Sequence, residues 1–292
     1  DAGRADAGVL HGPLAAEVLG EIDEAVESAF QRRRVAPEIR AKGAVGFLLP
    51  QPVLRAAAHQ LHPVLLARRH HLVEQVVLHL DRVVQFPWGV DLDLFSPHNK
   101  QPEARALRQR LGWEDKFVIL CNRTWSPIYG VDLMANAFVQ AAGENHRLRL
   151  ILAGGGQQED IIHATLAPVA DKVYFPGWVA MDDLPGVYNA ADLFVSPSHC
   201  DGSSVSLLEA LACGLLALVS DIPSNQEWVA PGKNGALFRD EDVDDLTCAL
   251  LQMAADANLK AYGECARLLA EARANWQVNF SMLLDAYQMA LG

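Results

Sequence analysis

The chain has 292 residues, 51% of them apolar, and its 36 acidic side chains outnumber 24 basic ones for a formal net charge of −12. This composition is typical of a globular chain long enough for two domains. The negative charge argues against a nucleic-acid-binding surface. The longest apolar run, residues 210–219, is too short to form a transmembrane segment.

The five cysteines are scattered and form no Cys-x-x-Cys pair. This pattern indicates a reduced compartment, with most of the cysteines packed in the core. We therefore expect a cytoplasmic location, either free or at the membrane surface.

The composition changes near residue 84. Residues 1–84 hold ten basic and ten acidic side chains, whereas all six tryptophans and all five tyrosines follow them. Residues 17–34 and 61–84 have patterns that favour helices. We predict a short, mostly helical or truncated N-terminal segment over 1–84 and an α/β domain over 85–292.

Apolar runs in the second part alternate with helical patterns. This alternation predicts a parallel sheet with helices on both faces and a ligand beyond the carboxyl ends of the strands. Residues at those predicted ends should therefore converge on one edge: Arg123, Gly154, Gly177, Asp201 and Ser220. The predicted strands are 117–122, 148–153, 172–175, 192–196, 215–220 and 236–238.

The most informative stretch begins at Asp201 and leads into a helix predicted over 202–213. Free N–H groups at a helix start favour an anion. Glu209 lies eight residues beyond Asp201, nearly two turns into the helix, where its carboxylate could accept bonds from a ribose diol. The alternative is that Asp201 and Ser203 only cap the helix.

Arg123 follows a predicted strand and opens a loop that ends at Tyr129-Gly130. Its guanidinium could hold a diphosphate in bidentate fashion. Together with Gly89-Val90-Asp91 upstream and residues 208–214 downstream, these motifs resemble the donor-binding half of glycosyltransferase family 4, which has the GT-B fold. The resemblance covers roughly residue 84 to the C-terminus.

The resemblance implies a Rossmann-like sheet and a retaining transferase. Such an enzyme moves a sugar from a nucleotide-diphosphate donor to a glycan or lipid acceptor, here unknown, without a metal or other cofactor. In the family's motif the first acid contacts the donor sugar and the second holds the ribose. These positions correspond to Asp201 and Glu209, and Arg123 corresponds to the phosphate arginine, so these three are the predicted catalytic residues.

The predicted donor-binding residues surround this set. The family usually has a lysine where this chain has Tyr129, so one positive charge is missing and diphosphate binding should be weaker or depend more on the helix dipole. Trp178 could meet the base or could equally be a core aromatic. The full predicted set is Gly202, Ser203 and Ser204 at the phosphates, Tyr129 and Gly154 nearby, and Gly177 and Trp178 at the base.

Three other signals have simpler interpretations. The triplet 154–156 resembles a dinucleotide fingerprint, but Glu159 replaces its third glycine, which favours a tight turn. The acid-x-acid pattern at Asp91 and Asp93 resembles a metal motif, and we interpret it as accidental. His199 lies next to the predicted sugar site and is expected to be structural.

Two functions follow from the sequence. The first is an active transferase. The second is a nucleotide-sugar-binding module without turnover, because no position in residues 1–84 matches the acceptor-domain histidine of the family. A third interpretation, a nucleotide-sugar epimerase of the same fold, fits the 208–210 element less well.

Overall fold

A computed structural model describes residues 86–291. The predictions for residues 1–84, including the two helices and the truncated acceptor segment, lie outside the described residues. Within the described part, Trp88–Phe280 belongs to one compact unit, whereas the end of the last helix from Ser281 belongs to a second. The first unit contains the sheet and the candidate site.

The first unit is built on a six-stranded parallel sheet of order β3-β2-β1-β4-β5-β6. This confirms the predicted fold class, and the order is that of the Rossmann fold. All six predicted strands are present. They are β1 Phe117–Cys121, β2 Leu148–Ala153, β3 Val173–Gly177, β4 Leu193–Ser196, β5 Leu216–Ser220 and β6 Gly235–Phe238.

Helices connect the strands and follow the last one, as the alternating pattern predicted. Short 3-10 turns at Pro127–Tyr129 and Ala167–Lys172 supplement the α-helices. Within residues 86–291 the α-helices are α1 Gln101–Leu111, α2 Val131–Glu144, α3 Glu159–Leu166, α4 Leu184–Asn189, α5 Val205–Ala212, α6 Pro223–Gln226, α7 Val243–Ala255, α8 Leu259–Arg273 and α9 Trp276–Leu291.

The core lies on both faces of the sheet. Successive side chains of β1 enter opposite layers: Val118 and Leu120 pack with helices α5 and α8, whereas Ile119 and Cys121 pack with α2 and α7. Every residue of β1 is buried. Burial on both faces explains why the strands are continuous apolar runs and why the pattern predicted a parallel sheet.

Arg267 of α8 holds the segment before α1 against the sheet unit. Its guanidinium donates to the carbonyls of Leu92, Phe95 and Ala212 at 2.7 to 3.3 Å. Three backbone acceptors on one guanidinium join the segment to both α5 and α8. The start of the described chain is thereby anchored at the end of α5, just before β5 begins.

The structure bears on two predictions made from the composition, one about membrane-spanning segments and one about the burial of the cysteines. Among the described residues, none of the helices is both long and apolar enough to span a bilayer. Only Cys121 and Cys213 are buried, while Cys200 and Cys248 are exposed and Cys265 is intermediate, so the expectation that most cysteines pack in the core was wrong. The exposed ones lie in a loop and on an outer helix, where no local pattern distinguished them.

Candidate active site

The loop after β1 and the start of α5 enclose a cavity of about 400 Å³ at the carboxyl edge of the sheet. All three predicted catalytic residues line it, together with three of the predicted donor-binding residues. The complete lining is Asn122, Arg123, Thr124, Tyr129, Asp201, Ser203, Ser204, Val205, Ser206 and Glu209.

Gly130 lets the two loops approach each other. Its φ is +59°, and a Cβ added there would lie 2.2 Å from the carbonyl oxygen of Pro197. A side chain would therefore be strained and would also collide with backbone. The amide of His199 donates to the carbonyl of Ile128 at 3.0 Å, which joins the same two loops.

Arg123 is held from three sides. Its Nη1 donates to the hydroxyls of Ser204 at 2.9 Å and Ser206 at 2.7 Å, and its Nη2 donates to Asp201 Oδ2 at 2.5 Å. The guanidinium carbon also lies 4.5 Å from the centre of the Tyr129 ring, a cation–π distance. Nη1 and Nη2 thus both have protein partners, so a diphosphate that binds Arg123 in bidentate fashion must replace some of them.

Asp201 does not cap α5. The helix begins at Val205, three residues later than predicted, and no side chain accepts a capping bond from its first turn. Asp201 instead accepts from Arg123 and, through Oδ1, from the amide of Gly202 at 2.9 Å. The capping alternative is therefore wrong. The assignment of the Gly202 amide to a phosphate stays a prediction, and a phosphate there would have to replace the Asp201 acceptor.

Glu209 is 7% exposed and lies on the first turns of α5, at the base of the cavity. Its Oε2 accepts from the buried Tyr188 hydroxyl at 2.7 Å, and that hydroxyl in turn accepts from Asn122 Nδ2 at 2.7 Å. Burial raises the pKa of Glu209 to about 7, against the opposing effects of the Tyr188 bond and the Arg123 charge. Near neutral pH this carboxyl group exists in both protonation states.

The remaining predicted residues lie at the same edge but outside the cavity lining. The amide of Gly154 donates to the carbonyl of Gly177 at 2.8 Å, next to the Arg123 backbone. Trp178 is 75% exposed, which excludes the core interpretation. Its indole nitrogen would lie 3.4 Å from a Cβ added at Gly155, so the ring covers the glycine turn.

The structure shows the local contacts of the residues behind the three other signals. The triplet 154–156 forms a turn that bonds to Trp125. Asp91 Oδ1 accepts from the amides of Asp93 and Leu94 at 2.9 and 3.0 Å, closing a turn. His199 Nδ1 pairs with Asp240 at 2.7 Å. In the described part of the chain, no group of three or more His, Cys, Asp or Glu side chains is placed to hold a metal ion.

Sequence reasoning missed five residues of the site. Asn122, Thr124, Val205 and Ser206 line the cavity, and Tyr188 bonds to Glu209. Asn122 and Thr124 flank Arg123, so their place at a strand end was a usable signal. Tyr188 is 21 residues before its partner, on another helix, and no local pattern connects the two.

Several known proteins and one protein family are similar in sequence to this chain. Residues 115–256 match the family model described as glycosyl transferases group 1. A GDP-mannose-dependent alpha-(1-6)-phosphatidylinositol monomannoside mannosyltransferase of Mycolicibacterium smegmatis is 31% identical over 58% of this chain and 46% of its own length. A mannosylfructose-phosphate synthase of Agrobacterium fabrum is 31% identical over 68% of this chain and 45% of its own length.

A solved structure shares the fold. The sucrose-phosphate synthase of Thermosynechococcus elongatus superposes with a TM-score of 0.63 at 24% identity, over 70% of this chain and 52% of that one. The chain spans about half the length of the curated relatives it matches. Residues 115–256, which include the whole lining of this cavity, belong to the group 1 glycosyl transferase family.

Proposed function

We propose that this chain is a retaining glycosyltransferase that takes a sugar from a nucleotide-diphosphate donor and transfers it to a glycan or lipid acceptor. One observation carries the proposal: a guanidinium, a helix start and two carboxylates line a single cavity. A sugar nucleotide presents the complementary groups, with a diphosphate between two sets of hydroxyls. The name of one relative includes GDP-mannose, a donor of this class.

The diphosphate would lie between Arg123 and the start of α5. The N–H groups of the first helical turn and the guanidinium both favour an anion. As the bond from the anomeric carbon to the diphosphate breaks, the electron pair moves onto a phosphate oxygen, where these groups stabilise it. A guanidinium and a helix dipole thus supply the charge that a divalent cation provides in other transferases.

Glu209 and Asp201 would bind hydroxyl groups of the donor on either side of its diphosphate. Tyr188 occupies Oε2 of Glu209, which leaves Oε1 as an acceptor for a ribose diol. Asp201 would bind hydroxyls of the donor sugar and orient it. The exposed ring of Trp178, at the same sheet edge, provides a surface for the base.

Donor binding and donor hydrolysis test this proposal together. Calorimetry with UDP-, GDP- and ADP-sugars should detect one preferred donor, and the same donor should be hydrolysed slowly without acceptor. Glu209→Gln should weaken binding by about tenfold or more and abolish hydrolysis, because an amide cannot replace a buried charged acceptor. Glu264→Gln makes the same chemical change on the exposed face of α8, where Glu264 pairs with Lys260, and should change neither.

The outcomes separate the two functions that the sequence suggested. Binding with hydrolysis supports the transferase. Binding without hydrolysis, and without transfer to any acceptor, would reduce the function to a nucleotide-sugar-binding module. Absence of binding to every nucleotide would refute both.

A further inference from the structure

We propose that Asp201 and the diphosphate of the donor compete for Arg123. When the diphosphate binds, Asp201 leaves Arg123 and bonds to the donor sugar instead. The site therefore prefers the intact sugar nucleotide to the free nucleoside diphosphate. This inference rests on the proposed function and adds a means of releasing the product. It is carried by the ion pair between the two side chains within the cavity.

The bonding of Arg123 leaves few free donors. A guanidinium has five N–H groups. Two on Nη1 reach Ser204 and Ser206, and one on Nη2 reaches Asp201. Nε is buried without a partner among the described residues. A phosphate that takes the Nη2 donor now bonded to Asp201 must therefore displace that carboxylate.

The charges of the cavity strengthen this competition. Among the described residues that line it, Arg123 is the only cation, and Asp201 and Glu209 are the acids. Tyr129 lies against Arg123 and contributes a ring rather than a charge. A diphosphate that binds to Arg123 is therefore repelled by the Asp201 carboxylate, which is bonded to the same guanidinium.

If Asp201 releases Arg123, its carboxylate needs another hydrogen-bond donor. Its side chain is 15% exposed, and that of Arg123 is 11% exposed. Removing one partner of a largely buried ion pair leaves the other charge poorly solvated, which is unfavourable. The hydroxyls of a donor sugar can donate to the released carboxylate, whereas a free nucleoside diphosphate has no sugar at that position. The intact donor therefore compensates Asp201, and the product does not.

Substitution of Asp201 should weaken the preference for the intact sugar nucleotide. In Asp201→Asn the competing charge is gone, and the affinity for GDP or UDP should rise about five- to tenfold. The affinity for the corresponding sugar nucleotide should stay unchanged or fall, because its sugar loses a charged acceptor. Titration calorimetry with both ligands gives their dissociation constants. The dissociation constant of the free nucleoside diphosphate divided by that of the sugar nucleotide should be smaller in the variant than in the wild type. Asp201→Ser should act in the same direction.

Asp192→Asn is the matched control. Asp192 pairs with Arg108 at the opposite end of β4, outside the cavity. This variant loses the same charge, and its ratio of dissociation constants should equal that of the wild type. A ratio that is also unchanged in both Asp201 variants would overturn the inference while leaving donor binding intact. If neither the wild type nor the Asp201 variants bind any nucleotide, the proposed function itself fails.

Discussion

The two ends of strand β4 each carry an arginine–aspartate ion pair, and the two pairs are built differently. At the amino end, Asp192 Oδ2 bonds to Arg108 and also accepts from the Val118 amide at 2.7 Å, while Arg108 donates to the Ala190 carbonyl at 2.8 Å. At the carboxyl end, all the partners of Arg123 among residues 86–291 are side chains.

The two ion pairs differ in whether a ligand can replace the partners of the arginine. The backbone partners of this pair lie in β1 and at the end of α4, where they are fixed by the fold, so the Arg108 pair contributes to stability. The hydroxyls and carboxylate around Arg123 can rotate, and the pair lines a cavity of about 400 Å³. The same residue types thus provide a structural tie at one end of a strand and a candidate anion site at the other.

Replacing each arginine gives the largest expected contrast. In Arg123→Ala the affinity for a nucleoside diphosphate should fall about a hundredfold, since a charge-assisted contact of about 2 to 3 kcal/mol is lost. Arg108→Ala should bind nucleotide as the wild type does and unfold at a lower temperature. Calorimetry and thermal unfolding of both variants measure the contrast, and equal nucleotide affinities would contradict it.

Removing the acid at the structural end should lower stability. Asp192→Ala leaves the Val118 amide without its side-chain acceptor and Arg108 without its counter-charge, at a cost of about 2 kcal/mol. Urea unfolding followed by circular dichroism measures this cost. Nucleotide affinity, measured in the same preparation without denaturant, should not change. A stability equal to that of the wild type would show that Asp192 is not a structural tie.

The pKa of Glu209 predicts a pH dependence. Burial raises this pKa from 4.5 to about 7, so the folded state holds the proton more tightly than the unfolded state. The resulting stabilisation is complete below the unfolded pKa and is lost as the pH rises through about 7. Wild-type stability should therefore fall relative to Glu209→Gln between pH 5 and about 8, as measured by urea unfolding.

Donor binding should change in the opposite direction with pH. A ribose diol needs the charged acceptor, so donor affinity should increase as Glu209 ionises, and Glu209→Gln should remove this dependence. Tyr188→Phe removes the bond that lowers the pKa of Glu209, so the midpoint should move to higher pH. At neutral pH this variant should bind donor about three- to tenfold more weakly. An unchanged midpoint would show that Tyr188 does not position or tune the carboxylate.

Restoring the missing charge should have the smallest effect. Tyr129→Lys adds a cation next to the diphosphate but removes the ring on which Arg123 stacks. We expect nucleoside-diphosphate affinity to rise about threefold, because the new attraction exceeds the lost cation–π contact of about 0.5 to 1 kcal/mol. Tyr129→Phe keeps the ring and should bind as the wild type does. A decrease in Tyr129→Lys would show that the stacked ring matters more than charge.

Much of this site could be predicted from sequence because its signals are local. Arg123 and Asp201 follow apolar strands, and the carboxyl ends of parallel strands share one edge. The spacing from Asp201 to Glu209 places both acids on one element and its preceding turn. Periodicity therefore sufficed to predict that these three residues line a common cavity.

Three features required the tertiary structure. Arg123 and Asp201 are 78 residues apart, and their pairing depends on how closely two loops approach at Gly130. Tyr188 reaches Glu209 from a different helix. Trp178 follows an apolar strand like a core aromatic but is exposed.

The sequence by itself determined the parallel sheet, the order of its elements and the edge at which the polar residues meet, because alternating apolar periods and strand-end residues depend only on neighbours along the chain. The tertiary structure decided which of those polar groups bond to each other and which remain available to a ligand. Hydrogen bonds and ion pairs depend on separations of a few ångströms between distant segments, and packing rather than local pattern sets those separations.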